Sequence, residues 1–149
     1  MAVIYLVDTN VLPQFADRTH PPHPTIRTAV RKLRASEHRL CATPQNFVEF
    51  WNVATRPAEI NGLGLTSADT DRLLRLVERL FPLLPDSPAV YPEWRRVVVS
   101  FGVSGVQVYD ARIVAAMIVH GVPHILTFNT TDFVRYATMS IVAEDPMTV

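Results

Sequence analysis

The sequence is poor in cysteine and in long apolar runs, and each shortage excludes a class of protein. One cysteine, Cys41, among 149 residues provides neither a disulfide framework nor a cysteine metal site. The longest apolar run after the N-terminus, residues 113–119, is far shorter than the roughly 20 residues that a membrane-spanning helix needs. We therefore expect a cytoplasmic protein that is neither secreted nor embedded in a membrane.

Net charge is also lacking, because 14 basic side chains balance 14 acidic ones. A neutral chain does not act as a general polyanion binder, which weighs against tight nonspecific binding of nucleic acid. The basic residues are nevertheless clustered between positions 27 and 39, where Glu37 is the only acid: Arg27, Arg31, Lys32, Arg34 and Arg39. This stretch indicates either a local basic face or an ordinary solvated helix surface.

Apolar residues, by contrast, are plentiful. They make up 48% of the chain and charged residues 19%, which predicts a well-filled core and argues against disorder. A chain of this length has room for one such core, so we predict a single domain over residues 1–149. The apolar surplus is compatible with a homodimer, and the amphipathic segment 66–81 is one candidate for the contact.

Strand and helix patterns alternate along the chain. Residues 3–7 form a continuous apolar run, typical of a strand buried on both faces of a parallel sheet, and Thr43-Pro44 is a strong start signal for a helix over 44–55. Further strands are predicted at 40–42, 83–84, 124–128 and 141–143, further helices at 25–35, 66–81, 89–101 and 108–120, a loop at 18–24 and a turn or short helix at 130–136. This order predicts a three-layer α/β/α sandwich around a central, mostly parallel sheet.

Four acids occupy positions compatible with one rim of this sheet, beyond the carboxyl ends of its strands, where ligands bind in such folds. Asp8 follows the first strand, Asp132 follows the strand at 124–128, Glu49 lies on a polar stripe of the helix 44–55, and Asp110 opens an apolar helix. Each has a simpler explanation: helix capping by Asp8, Asn10 or Asp132, a favourable helix dipole at Asp110, and a solvated stripe at Glu49. Those explanations do not account for the shared rim.

Several carboxylates in one place raise one another's pKa unless a cation supplies counter-charge. Oxygen ligands without histidine or cysteine suit Mg²⁺ or Mn²⁺, and no histidine is spaced to complete a zinc site. Such ions polarise phosphodiesters and lower the pKa of bound water. The acids therefore predict metal-dependent phosphodiester hydrolysis.

The segments VDTNVL at 7–12, 44–50 with its glutamate, YDARI at 109–113 and LTFNTTDF at 126–133 resemble, in order and spacing, the motifs of PIN-domain ribonucleases, especially VapC-type toxins. The resemblance implies that the four acids bind Mg²⁺ (or Mn²⁺) and catalyse RNA hydrolysis, with Asp132 the most variable of them in that family. It also implies polar residues around the site: Thr9, Asn10, Thr127 and Asn129. Arg112 is open to two interpretations, holding a phosphate or pairing with Glu49.

The same resemblance implies an RNA substrate, a cognate antitoxin and a homodimer. Two alternatives come from other classes. One is a catalytically inactive PIN domain that binds RNA or protein. The other is an aspartyl-phosphate phosphatase or response-regulator-like domain, which is weakened because no D-x-D follows the first strand and Lys32 is the only lysine. His20 and His23, in the proline-rich loop, are interpreted as loop residues rather than ligands.

Overall fold

The computed structural model describes residues 3–16 and 23–149, in which strands and helices alternate. The strands are β1 Ile4–Val7, β2 Arg39–Cys41, β3 His124–Leu126 and β4 Val142–Glu144. The helices are α1 Val11–Ala16, α2 His23–Ala35, α3 Pro44–Thr55, α4 Ser67–Leu80, α5 Val90–Phe101 and α6 Gln107–His120, with 3-10 helices at Ala58–Ile60 and Thr130–Met139. No helix in these described ranges is both long and apolar enough to span a membrane.

In the described part of the chain the strands form one four-stranded parallel sheet in the order β2-β1-β3-β4. Leu6 of β1 is in register with Cys41 on one side and Ile125 on the other, and Ile125 is in register with Ala143. Because every strand runs in the same direction, all their carboxyl ends meet at one edge. The predicted α/β/α fold with a parallel sheet is confirmed.

Both faces of the sheet are covered, which explains why β1 has no polar alternation. Tyr5 and Val7 pack on one face with apolar side chains of α1 to α4, and Leu6 packs on the other with α5, α6 and the 3-10 helix Thr130–Met139. Leu6 and Val7 are fully buried. At about 1.5–3 kcal/mol for burying one large apolar side chain, these two layers fix the direction of β1 and hence the position of the residue that follows it.

Two helix starts follow their predicted signals. Thr43 caps α3 by accepting from the Asn46 backbone N–H (3.2 Å), while the Asn46 side-chain oxygen accepts from the Thr43 N–H (2.9 Å). Thr66 caps α4 by accepting from the Asp69 backbone N–H. The Asp69 carboxylate itself pairs with Arg72 rather than closing a capping box.

Other predicted elements differ in detail. The strand predicted at 83–84 is a single bridge between Leu83 and Ala42, because the prolines on either side of Leu83-Leu84 lack the N–H groups that a longer ladder needs. The turn or short helix predicted at 130–136 is a 3-10 helix that continues to Met139. The loop predicted at 18–24 ends earlier, since α2 begins at His23 with Pro24 tolerated in its first turn. His20 and the side chain of His23 lie outside the described residues.

Candidate active site

A cavity of about 400 Å³ opens at the carboxyl edge of the sheet. Three of the predicted acids line it: Asp8, Glu49 and Asp110. Thr9, Asn10 and Asn129 line it as well, so most of the polar residues predicted around the site also face it. Positions more than 100 residues apart in the sequence thus meet where parallel strands end.

Asp8 is held rigidly at the end of β1. It is 5% exposed; its Oδ1 accepts from the Thr9 backbone N–H (2.8 Å) and its Oδ2 from the Thr127 hydroxyl (2.8 Å). The pKa of Asp8 is raised to about 6: burial is the largest cause and the like charges of Glu49 and Asp132 add to it, while both hydrogen bonds lower it. The carboxylate is therefore oriented by its neighbours, yet no positive charge within residues 3–16 and 23–149 pairs with it.

Thr127 connects the loop after β3 with the loop after β1. Its hydroxyl donates to Asp8 and accepts from the Asn10 side-chain amide (3.2 Å) and from the Asn129 backbone N–H (3.0 Å). The Asn10 side-chain oxygen in turn accepts from the Phe128 backbone N–H (3.3 Å). The Asn10 side chain therefore joins two loops of the site, and this explains its place better than helix capping does.

Glu49 faces the cavity from α3. Its Oε1 accepts from the Thr9 hydroxyl (2.7 Å) and its Oε2 from the Gln45 side-chain amide (3.2 Å). The fully buried Asn46 donates its side-chain amide to the Thr9 hydroxyl oxygen (3.0 Å), which leaves the hydroxyl hydrogen directed at Glu49. The polar stripe of α3 is thus part of the site and not merely a solvated surface.

Arg112 acts on this site through Gln45. Its guanidinium donates to the Gln45 side-chain oxygen (3.0 Å) and to Asp86 (3.3 Å), an acid in the connection between α4 and α5. The alternative that Arg112 pairs directly with Glu49 is wrong, because the Gln45 amide lies between the two and Asp86 supplies the opposite charge. Gln45 also donates to the Tyr109 carbonyl (2.9 Å), which ties α3 to the start of α6.

Asp110 lies in the first turn of α6 and is partly buried. Burial is the largest cause that raises its pKa, to about 7, and the negative charges of Asp8, Asp132 and Glu49 add to it. No hydrogen bond or ion pair engages its carboxylate within the described residues. A favourable helix dipole would lower this pKa, so the dipole is not the dominant influence on Asp110.

Asp132 is placed differently from the other three acids. It lies exposed in the first turn of the 3-10 helix Thr130–Met139, and it is not a lining residue of the cavity. It is nevertheless close enough for its charge to raise the pKa values of Asp8 and Asp110. Asp132 therefore contributes to the field at the rim.

The donor set fits a hard divalent cation. The four acids offer oxygen donors, and no salt bridge in the described ranges joins any of them to lysine, arginine or histidine. Within those ranges, no three Asp, Glu, His or Cys side chains are already grouped around one point as ion ligands. Mg²⁺ typically keeps several waters and is held by one or two carboxylates, a mode that needs no closed cage of protein ligands.

Sequence reasoning did not identify Asn46 and Gln45 as site residues, although Gln45 lies one helical turn before Glu49 on α3. A recognisable signal was present for Asn46, because an amide three residues after an N-cap threonine completes a capping box. The same side chain that caps α3 also orients Thr9. Helix start and site geometry are thus coupled through one buried amide.

Asn46→Ala should lower the free energy of unfolding by about 2 kcal/mol, because it removes the reciprocal cap and leaves the buried Thr43 N–H without its acceptor. Urea unfolding followed by circular dichroism measures this loss. Asn52→Ala is the matched control, since Asn52 lies exposed on the same helix. Equal stability of the two variants would contradict the role assigned to Asn46.

Comparison with known proteins agrees with this geometry. No curated protein sequence matches the chain. Among solved structures, VapBC2 from Rickettsia felis, bound to a promoter DNA fragment, superposes with a TM-score of 0.71 at 12% identity, covering 96% of this chain and 98% of that chain. VapBC-1 from nontypeable Haemophilus influenzae gives 0.68 at 16% identity over 97% and 98%. A toxin-antitoxin complex from Klebsiella pneumoniae gives 0.62 at 19% identity over 95% and 97%.

At these identities the solved structures establish the shared fold alone. The family is established by sequence, since the family model for the PIN domain matches residues 5–138, which include most of β1, the lining of the cavity and all four acids. The chain belongs to the PIN domain family.

Proposed function

We propose that this protein is a Mg²⁺- or Mn²⁺-dependent endoribonuclease and the toxin of a type II toxin–antitoxin pair. One observation carries the proposal: acids that have no cationic partner among the described residues line one cavity at the carboxyl edge of a PIN-domain sheet, and the pKa values of Asp8 and Asp110 are raised there. Repulsion among these negative carboxylates lowers the stability of the fold, and a bound cation would remove that penalty. RNA as the substrate is inferred from the family resemblance.

Asp8, Glu49 and Asp110 are the residues that would hold the cation, with Asp132 adding negative charge at the rim. A divalent ion supplies Lewis-acid polarisation of the phosphodiester and lowers the pKa of water. The chain's own part is orientation: Thr9 and Thr127 fix Asp8, while Thr9 and Gln45 fix Glu49. Asp110 has no such support among the described residues, and because its pKa is raised to about 7, a cation would compete with a proton for it near neutral pH.

The antitoxin and the homodimer remain part of the proposal. VapBC and other toxin-antitoxin complexes are among the structures that share this fold, which supports an antitoxin partner. The segment 66–81 is a poor dimer surface, because Leu73, Leu74 and Leu80 already pack against the core. Larger exposed apolar side chains lie on and after α5, and they are better candidates for a protein contact: Tyr91, Val99, Val106 and Tyr109.

Cleavage of a mixed structured RNA, with Mg²⁺, with Mn²⁺ and with EDTA, tests the catalytic proposal. We expect fragments in the presence of either ion and none with EDTA. Calorimetric titration with Mn²⁺ on the same protein measures the cation site directly. If the protein is inert with both ions and releases no heat on titration, the catalytic proposal fails and a PIN domain that only binds RNA or protein replaces it.

A further inference from the structure

The cavity has two chemically different ends. The acidic end carries Asp8, Glu49 and Asp110, and what we call the neutral end begins one turn of α3 beyond Glu49, at Val53, to which Leu63 is hydrogen-bonded. Its lining comprises apolar Pro13, Val53 and Leu63 and the amide side chains of Gln14 and Asn61. No lysine, arginine or histidine lines either end within the described residues. Among the described residues, the neutral end therefore has no cationic lining side chain that would offset the desolvation of a phosphate or of another anion.

The wall of the neutral end is fixed to α3. The Leu63 N–H donates to the Val53 carbonyl (3.0 Å), and the Arg56 guanidinium donates to the Asn61 carbonyl (3.1 Å). A side chain at Gly62 would place its Cβ 1.8 Å from the Arg56 carbonyl oxygen, so the loop lies directly against the end of the helix. This wall is preformed and needs no ordering when a ligand enters.

Asn61 is presented at the edge of this wall in a left-handed conformation (φ 66°), which asparagine adopts more readily than most residues. Its side chain is exposed, and its amide carries both a donor and an acceptor. Apolar walls with an amide at the edge suit a flat, neutral group that has hydrogen-bonding edges, and a nucleobase is such a group.

We propose that the neutral end binds one unpaired nucleobase of the RNA, next to the phosphate that is cleaved at the acidic end, and that Asn61 reads an edge of this base. The inference rests on the proposed function, since it assigns the adjacent phosphate to the acidic end. A base inside a duplex is stacked on both faces and hydrogen-bonded along its pairing edge, so it cannot enter a cavity of this kind without leaving its helix.

Abasic substitution tests the base site. A short RNA with one mapped cleavage point is compared with analogues that lack the base at each position around that point. Removing the base on one side of the scissile phosphate should lower kcat/KM about tenfold or more, while removal at distant positions changes it little. Equal cleavage of all abasic analogues would overturn the proposal.

Two variants connect this effect to the named residues. Asn61→Gly keeps the left-handed backbone and removes the amide, so it should change the preference among the four bases at that position and leave the calorimetric Mn²⁺ affinity unchanged. Asn52→Ala, on the exposed face of α3, is the control and should change neither. Base preference that is identical in wild type and Asn61→Gly would remove Asn61 from the proposal.

A binding measurement separates this inference from the catalytic proposal. A fluorescent adenine analogue, quenched when stacked, is placed in the RNA and titrated with the Asp110→Asn variant, so that no cleavage is needed. Its emission should rise on binding, and Val53→Phe, which fills the cavity, should suppress the rise in a protein whose thermal unfolding shows that it is folded. If wild type cleaves no RNA but this rise in emission is seen, the catalytic proposal fails and the base site stands. If the emission does not change when the RNA binds, the base site is overturned.

Discussion

Asp8→Asn should lower RNA cleavage at least about a hundredfold while the protein stays folded. The substitution keeps the shape of a side chain that is 5% exposed and removes the charge by which it would hold a cation. Hydrogen bonds from Thr9 and Thr127 fix this group at the end of β1, so another acid cannot readily move into its place. Cleavage rates at saturating Mn²⁺, measured beside a circular dichroism spectrum, test the expectation.

Asp71→Asn is the matched control for this chemical change. Asp71 pairs with Arg75 on the surface of α4 and is not a lining residue of the cavity, so its substitution should leave cleavage unchanged and cost little stability. Calorimetry should show weakened Mn²⁺ binding in Asp8→Asn alone. Full activity of Asp8→Asn would mean that the catalytic centre lies elsewhere.

Asp8 and Glu49 could be placed from the sequence because each depends on a local signal. The unbroken apolar run before Asp8 marks a buried strand end, and Thr43-Pro44 fixes the phase of α3 and so the direction in which Glu49 points. Parallel topology then brings the carboxyl ends of strands to one edge. The fold and the rim of the site follow from these local rules.

The link from Arg112 through Gln45 to Glu49 could not be predicted in the same way. It joins side chains 67 residues apart, and its form depends on which of several polar neighbours a long side chain reaches. A guanidinium near several carboxylates offers many pairings of similar energy, and Asp86 competes successfully for it. Choices of this kind are decided by packing, on which sequence periodicity gives no information.

The neutral end of the cavity could not be predicted from the sequence for a related reason. The sequence marks 61–64 as a loop. The loop becomes a wall only because Leu63 donates a backbone hydrogen bond to Val53 of α3, Gly64 donates one to Arg56 just after that helix, and Gly62 allows close approach. Asp132 is the opposite case: the sequence motif includes it, but its carboxylate lies on an exposed 3-10 turn and does not line the cavity. Loop geometry is where sequence motifs locate a site least well.

Asp110→Asn should stabilise the metal-free protein although it is expected to abolish activity. The pKa of Asp110 is about 7 in the folded protein and near 3.8 in an unfolded chain, so the folded state binds the proton more tightly. A raised carboxyl pKa means that stability falls as the pH rises from about 4 to about 7 and stays low above that. Asparagine cannot lose a proton and removes this penalty without breaking a hydrogen bond found in the described structure.

In EDTA at pH 8 we therefore expect Asp110→Asn to have a higher Tm than wild type. The gain in the free energy of unfolding should be on the order of 1–2 kcal/mol, after allowance for the partial exposure of the side chain. This gain should shrink towards pH 4. Saturating Mn²⁺ should give wild type the higher Tm, because an ion that binds the folded state raises the Tm of wild type more than that of the variant. Scanning calorimetry at both pH values, with Asp71→Asn as the control, measures all of these shifts. If the variant melts below wild type in EDTA at pH 8, Asp110 stabilises the metal-free fold. The argument that its charge costs stability in the absence of a cation would then be wrong.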